Sequence, residues 1–267
     1  MSLPETCATV SHAPGKGRRL LSMTSTDTYG NAVPDADGPE PVAYTLWAVL
    51  RRDETPAARA AATAAVPAEL AAELDAVVAH LPEDVTLRGT YDASGLRADA
   101  DVIIWLTGPT AEGLQAALRT LRRTELLGAL VPTWNALGVH RPAEFTARHL
   151  PAFMRDVPPA AWLTVYPFVR SYEWYILPED ERREMLADHG RKGRDYPQVL
   201  ANTVSAFSLG DYEWLLGLEA DELTDLVDLM RHLRYTEARR HVRDELPFYT
   251  GRRVGTAELA EILVGQA

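Results

Sequence analysis

Between Tyr166 and Tyr196 the chain sets an oxidisable phenol, several cations and an imidazole within thirty-one residues. The run contains Tyr166-Pro-Phe-Val-Arg-Ser, Trp174-Tyr-Ile-Leu-Pro and His189-Gly-Arg-Lys-Gly-Arg-Asp-Tyr. An imidazole ligates iron, a guanidinium grips a carboxylate through paired hydrogen bonds, and a phenol can give up a hydrogen atom. Together these suit a site holding a redox-active metal inside a polyanionic organic ligand. Each residue also has a plainer reading. His189 lies eleven residues past the helix-opening Pro178, ahead of a capping Gly190. It is either a ligand aimed into a cavity or a surface histidine favoured by the negative end of a helix. Tyr166 falls on the opposite pleat face from Leu163 and Val165, together with Thr164 and Phe168, as either a pocket wall or a core tyrosine with its hydroxyl satisfied. Arg170 shares that face, to hold a carboxylate or to close a strand with a salt bridge. Trp174 reads by default as packing, and His149, after Arg148, as an exposed linker residue.

The elements around this cluster follow from periodicity. Residues 1–40 are rich in Ser, Thr, Gly, Pro and Asp without apolar rhythm and read as a disordered leader, with Met23 an alternative start. Residues 41–145 form a first half: a strand at Val42–Leu50, a helix from Pro56 to His80, strands at Val85–Ala93 and Val102–Leu106, and a helix opened by Pro109 and running to Leu121. Residues 146–254 repeat the order with a strand at Trp162–Val169, a helix opened by Pro178 and another past Pro197 towards Thr203. Two strands then flank the turn Leu209-Gly210-Asp211, and a helix spans Ala220–Leu233. Residues 255–267 are a C-terminal tail. Trp105-Leu-Thr-Gly108 leads through a helix to Leu121-Arg-Arg-Thr-Glu125, and Trp214-Leu-Leu-Gly217 leads to Leu233-Arg-Tyr-Thr-Glu237 over a span three residues longer. That repeat predicts an α+β fold of two tandem β-α-β-β-α-β ferredoxin-like units with helices outside joined sheets. One sheet face of the second half is then free to line a pocket.

With 27 Lys and Arg against 38 Asp and Glu, the net charge of −11 opposes general binding to nucleic acid or anionic lipid, so basic clusters are local sites. A single cysteine, Cys7, excludes an intramolecular disulfide, a cysteine zinc site and an iron–sulfur cluster. The sequence offers no membrane span and no signal peptide, which places the protein in the cytoplasm. Phosphate loops, metalloprotease helices and nucleophile elbows do not occur.

Taken in order, Tyr166-Pro-Phe-Val-Arg-Ser, Trp174-Tyr-Ile-Leu-Pro, His189-Gly-Arg-Lys-Gly-Arg-Asp-Tyr, Asp211-Tyr-Glu-Trp and Pro247-Phe-Tyr-Thr-Gly251 resemble the chlorite dismutase-like superfamily. Within it they are similar to the actinobacterial coproheme decarboxylase branch, over residues 41–253. The resemblance implies a dimeric α+β barrel assembled into a homopentamer, with Fe-coproporphyrin III as both substrate and redox cofactor. Hydrogen peroxide would drive decarboxylation of two propionates to vinyls, giving haem b, and a transient contact with ferrochelatase would follow. By position, His189 would be the axial iron ligand, Tyr166 the radical-forming residue and His149 the distal base. Arg170 would position a propionate and Trp174 would lie beside the reacting one. Chlorite dismutases carry a distal arginine thirteen residues after the axial histidine; that count falls on Asn202 here, which argues against chlorite decomposition. Asn202 also differs from the glutamine typical of the other decarboxylase branch. A peroxidase-type haem enzyme and a haem carrier or sensor of the same fold are the alternatives.

Overall fold

Strict alternation between two apolar faces organises the strands. In β1 (Tyr44–Arg52), Trp47 and Val49 point one way while Leu46, Ala48 and Leu50 point the other, and all five are buried. A strand apolar on both faces must have packing on both, and the closure of the sheet provides it. The computed structural model describes residues 42–141 and 150–264. After β1 come α1 (Pro56–Ala64), α2 (Pro67–Ala79), β2 (Thr86–Arg97), β3 (Ala100–Gly108), α3 (Ala111–Leu121), α4 (Glu125–Gly128) and β4 (Leu130–Val139). The second half runs β5 (Trp162–Arg170), α5 (Glu179–Gly193), β6 (Leu200–Ser205), β7 (Trp214–Ala220), α6 (Leu223–Leu233), a short β8 (Val242–Asp244), β9 (Tyr249–Val254) and α7 (Thr256–Val264).

Each half orders its strands as a ferredoxin-like unit, β4-β1-β3-β2 and β6-β7-β5-β9. Antiparallel pairing of β2 with β9 and of β4 with β6 joins the halves edge to edge. The result is a closed eight-stranded antiparallel barrel, with β8 paired alongside β5. The interior holds Trp47, Tyr91, Ile103, Trp105, Leu163, Val165, Val204, Leu215 and Tyr249.

The outer faces of the two halves differ. Over the first, α2, α3, α4 and α7 seal a continuous layer that includes Leu70, Leu74, Leu114, Leu121, Leu127, Leu259 and Leu263. Over the second, the buried set is Tyr166, Leu218, Ala220, Leu226 and Leu229. No residue of helix α5 is buried as a whole, although the His189 ring reaches inward far enough to bury its Nδ1. The helix's stability rests on its own charges: Glu179, Asp180 and Glu181 open it, Arg191 and Lys192 close it, and pairs join Glu179 to Arg183 and Asp188 to both Arg191 and Lys192.

Several sequence expectations give way. The helix expected over Pro56–His80 breaks in two, because Pro67 lacks an N–H and the residue before it, Val66, is extended. The helix expected past Pro197 is instead β6, whose Asn202-Thr-Val-Ser205 alternates between faces. Ala220 ends β7, and α6 begins only at Leu223. The strand β4, with Pro132 and Gly138 in it, escaped the alternation test. Residues beyond Val254 carry α7, which packs Leu259, Ala260 and Leu263 into the first half's outer layer. In the internal repeat, the helices and the Thr-Glu pairs after them correspond, but the Trp-to-Gly segments stand three residues out of step. The interval from Gly108 to α3 is three residues shorter than that from Gly217 to α6. Consequently Trp105 points into the barrel, whereas Trp214 lies outside against Phe168.

Candidate active site on the outer face of the second half

Tyr166 lies mid-strand in β5, opposite Leu216 of β7, which in turn faces Thr203 of β6. Paired residues share a sheet face, so this row points out of the barrel, while the adjoining row Val165, Gly217 and Asn202 points in. Helix α6 and Phe248 roof the phenol. Its ring stacks on Phe248 at 4.3 Å between centroids, and its hydroxyl donates to the Met230 sulfur at 3.5 Å. Burial, then the carboxylate of Glu245, holds the phenol protonated well beyond the ordinary tyrosine range, against the opposing pull of Arg234 and Arg239. Those two arginines share one Glu245 oxygen, at 2.7 and 3.0 Å.

Arg170, at the end of β5, lays its guanidinium over two rings, Phe168 at 4.9 Å and the fully buried Trp174 at 4.2 Å. Trp174 sits in a 3-10 turn spanning Trp174–Ile176 and also meets the His241 ring at 5.4 Å. Stacking on these π faces constrains the guanidinium fork.

His189 projects from the penultimate turn of α5. Its Nδ1 is buried without a hydrogen-bond partner among the described residues. Burial, followed by the positive charge of Arg170, pushes the imidazole pKa down to about 4, with Asp188 opposing. The ring is therefore neutral at physiological pH, the state in which imidazole binds a metal. The effect of Arg170 on it places the two side chains in one electrostatic neighbourhood. Gly190, expected to cap the helix, is inside it; α5 runs on to Gly193 with Arg194 as the cap.

The structure thus brings Arg170, Trp174 and His189 into one neighbourhood, while Tyr166, four residues before Arg170 on β5, has its own surroundings of Met230, Phe248 and Glu245. His149 lies outside the described residues. Asn202 is not part of the cluster: its side chain is fully buried, on the opposite sheet face from Tyr166. There it donates to the Gly217 carbonyl and to Glu219, both at 3.0 Å, and accepts from the Phe153 N–H at 2.9 Å. Arg88 completes that barrel-end network with two bonds to Glu219, whose carboxyl burial raises while Arg88 pulls it down. On β6, the neighbours that share the Tyr166 face are Ala201 and Thr203. Sequence reasoning gave no role to Met230, His241, Glu245 or Phe248, all brought in from later elements; the amphipathic pattern of α6 pointed to Met230, and Phe248 stands in the motif Pro247-Phe-Tyr-Thr-Gly251.

A family model described as chlorite dismutase matches residues 67–254. The chain belongs to the chlorite dismutase family. A coproheme decarboxylase of Mycolicibacterium smegmatis is 54% identical over 176 residues, covering 66% of this chain and 76% of that one. A second coproheme decarboxylase, from Staphylococcus saprophyticus, is 23% identical over 188 residues, 64% of this chain and 75% of that one. Chlorite dismutase of Candidatus Nitrospira defluvii in complex with imidazole superposes with a TM-score of 0.69 at 20% identity, over 83% of this chain and 95% of that one, which supports the fold. The donors present suit an iron porphyrin in kind: a buried imidazole nitrogen without a hydrogen-bond partner among the described residues, and a guanidinium for a carboxylate. Among the described residues no three metal-ligating side chains cluster. His189 offers a neutral imidazole, and Arg170 a planar fork for a carboxylate. No described helix is long and apolar enough to cross a membrane.

Proposed function

We propose that this chain is a coproheme decarboxylase: it converts two propionates of Fe-coproporphyrin III to vinyls, yielding haem b, with hydrogen peroxide as oxidant. The observation that carries the reading is a buried, protonated phenol, Tyr166, on the outward face of β5, the strand whose Arg170 shares an electrostatic neighbourhood with the neutral imidazole of His189, in a chain 54% identical to a coproheme decarboxylase. When bound, the iron porphyrin supplies one-electron oxidising chemistry with peroxide.

The residues divide the remaining work. His189 would hold the iron. Arg170, stacked on Phe168 and Trp174, would receive a propionate carboxylate, and Trp174 would line the wall beside it. His149 takes a proton from peroxide as general base. Tyr166, kept neutral by its dry surroundings, loses an electron and a proton together and regains a hydrogen atom from the propionate carbon next to the ring. The propionate then releases its carboxylate as carbon dioxide and gives up a second electron, leaving a vinyl. Each cycle removes two electrons and one proton from the propionate, and with one further proton these reduce one peroxide to two waters. A homopentamer, a cytoplasmic location and contact with ferrochelatase belong to the same reading.

The test loads the purified chain anaerobically with Fe-coproporphyrin III, adds peroxide stepwise and follows the porphyrin by chromatography and mass spectrometry. Two successive losses, each of carbon dioxide and two hydrogens, are expected, with a three-propionate species between them. Turnover of external donors with an unchanged porphyrin would mark a peroxidase, and bleaching without discrete products a carrier or sensor.

A further inference from the structure

The motif Asp211-Tyr-Glu-Trp has no part in the mechanism above, yet its Glu213 and Trp214 reach the turn that carries two of the proposed substrate contacts. The β5–β7 ladder ends at the pair Phe168 and Trp214. Beyond it β5 shifts register against β8 between Val169 and Arg170. One carboxylate oxygen of Glu213 accepts the Arg170 backbone N–H at 2.8 Å. The same oxygen accepts the phenol of Tyr175 at 2.9 Å, and the Trp214 indole donates to that phenol at 3.2 Å. Burial, then the bond to Glu213, keeps the Tyr175 phenol protonated above its usual range, against the Trp214 donor. The far side of the turn is tied separately, with Ser171 N–H donating to the His241 carbonyl at 3.0 Å and the Ser171 hydroxyl meeting His241 Nδ1 at 3.0 Å.

We infer that Glu213 is a positioning residue for carboxylate recognition: by bonding both ends of the segment from Arg170 to Tyr175, it fixes the guanidinium of Arg170 against Trp174 in the orientation that receives a propionate. Two charge-assisted bonds from one carboxylate resist displacement better than neutral ones. They act at the base of a side chain whose fork must meet a planar acceptor, so a small rotation of the turn misaligns both of its N–H donors. Tyr175 and Trp214 are the remaining members of the clamp. The inference rests on the reading of Arg170 as a propionate contact.

The test titrates the full chain with Fe-coproporphyrin III and, in parallel, with its tetramethyl ester, which keeps the ring and iron but removes the carboxylates. Glu213→Ala is expected to weaken binding of the acid about tenfold, the scale of a well-formed hydrogen-bonded contact, while leaving the ester's affinity unchanged. Glu213→Gln retains an acceptor oxygen for both donors and is expected to restore acid binding to within about twofold, since only the charge assistance is lost. In an Arg170→Ala background, Glu213→Ala adds nothing, because a positioning residue without its target is silent. If Glu213→Ala fails to fold, Glu213→Asp serves, withdrawing the carboxylate by one methylene while keeping its charge. Equal weakening for acid and ester, or an undiminished effect in the Arg170→Ala background, overturns the inference. A wild-type chain that binds acid and ester alike defeats the Arg170 reading itself, and the inference with it; decarboxylation is scored separately, by porphyrin mass.

Discussion

At the scale of the residue, burial decides the chemistry. His189 and Tyr166 are pushed in opposite directions by the same cause: desolvation favours the neutral form of each, lowering the imidazole and raising the phenol. For His189 the consequence can be measured on the ligand-free protein. The unfolded chain takes up a proton as pH falls through about 6.5, whereas the folded chain resists until about 4. Stability is therefore untouched above the first value and is lost progressively between the two as acid is added, by up to ~3 kcal/mol. Urea unfolding at a series of pH values should show this acid loss in the native chain and a shallower one in His189→Gln; parallel curves would show that His189 is not buried as described. The outward direction of Tyr166 was legible beforehand, because the two-residue period of a strand admits only two faces and Leu163 and Val165 claim the inner one. Its roof was not legible. Met230 and Phe248 stand 64 and 82 positions away along the chain, and nothing in local spacing announces such contacts.

At the scale of the element, register does what composition cannot. Helices α3 and α6 match in length and in the Thr-Glu that follows, so the repeat was sound there, while the shared Trp and Gly were out of step. Gly217 shows why the register matters: a Cβ at this position would stand 2.8 Å from the Trp47 ring inside the barrel. Gly217→Ala is expected to cost about 1–3 kcal/mol by overpacking, read as a lowered urea midpoint with an unchanged slope, and a stability equal to the native chain would contradict the packing. The boundaries that sequence missed share a physical source. Pro67 splits α1 from α2 by removing a donor, and β6 outcompetes helix because all six of its residues pair with β7 and Ser205 also pairs with Val139 of β4. Helix α5 is the converse case: Pro178 predicted where it opens, but only the fold reveals that His189 is the point at which it reaches inward while no residue is buried as a whole.

At the scale of the whole molecule, two copies of one architecture have been put to different uses. The first half's outer face is sealed by apolar side chains from four helices, including α7 from the far end of the chain, and gives the barrel its larger core. The second half buries a smaller apolar set on its corresponding face, with Tyr166 among the leucines of β7 and α6. Tandem α+β units were readable from element order, whereas this asymmetry depends on which helix lies over which sheet. In the proposed reaction the outer face of the second half would hold coproheme, with the Tyr166 phenol as the group that is oxidised and re-reduced. The most direct measurement gives Tyr166→Phe, shown by titration to bind Fe-coproporphyrin III as the native chain does, the same stepwise additions of peroxide and follows the mass of the porphyrin. Retention of all four propionates, with the native chain losing two, is the predicted result; normal formation of haem b by Tyr166→Phe would contradict it.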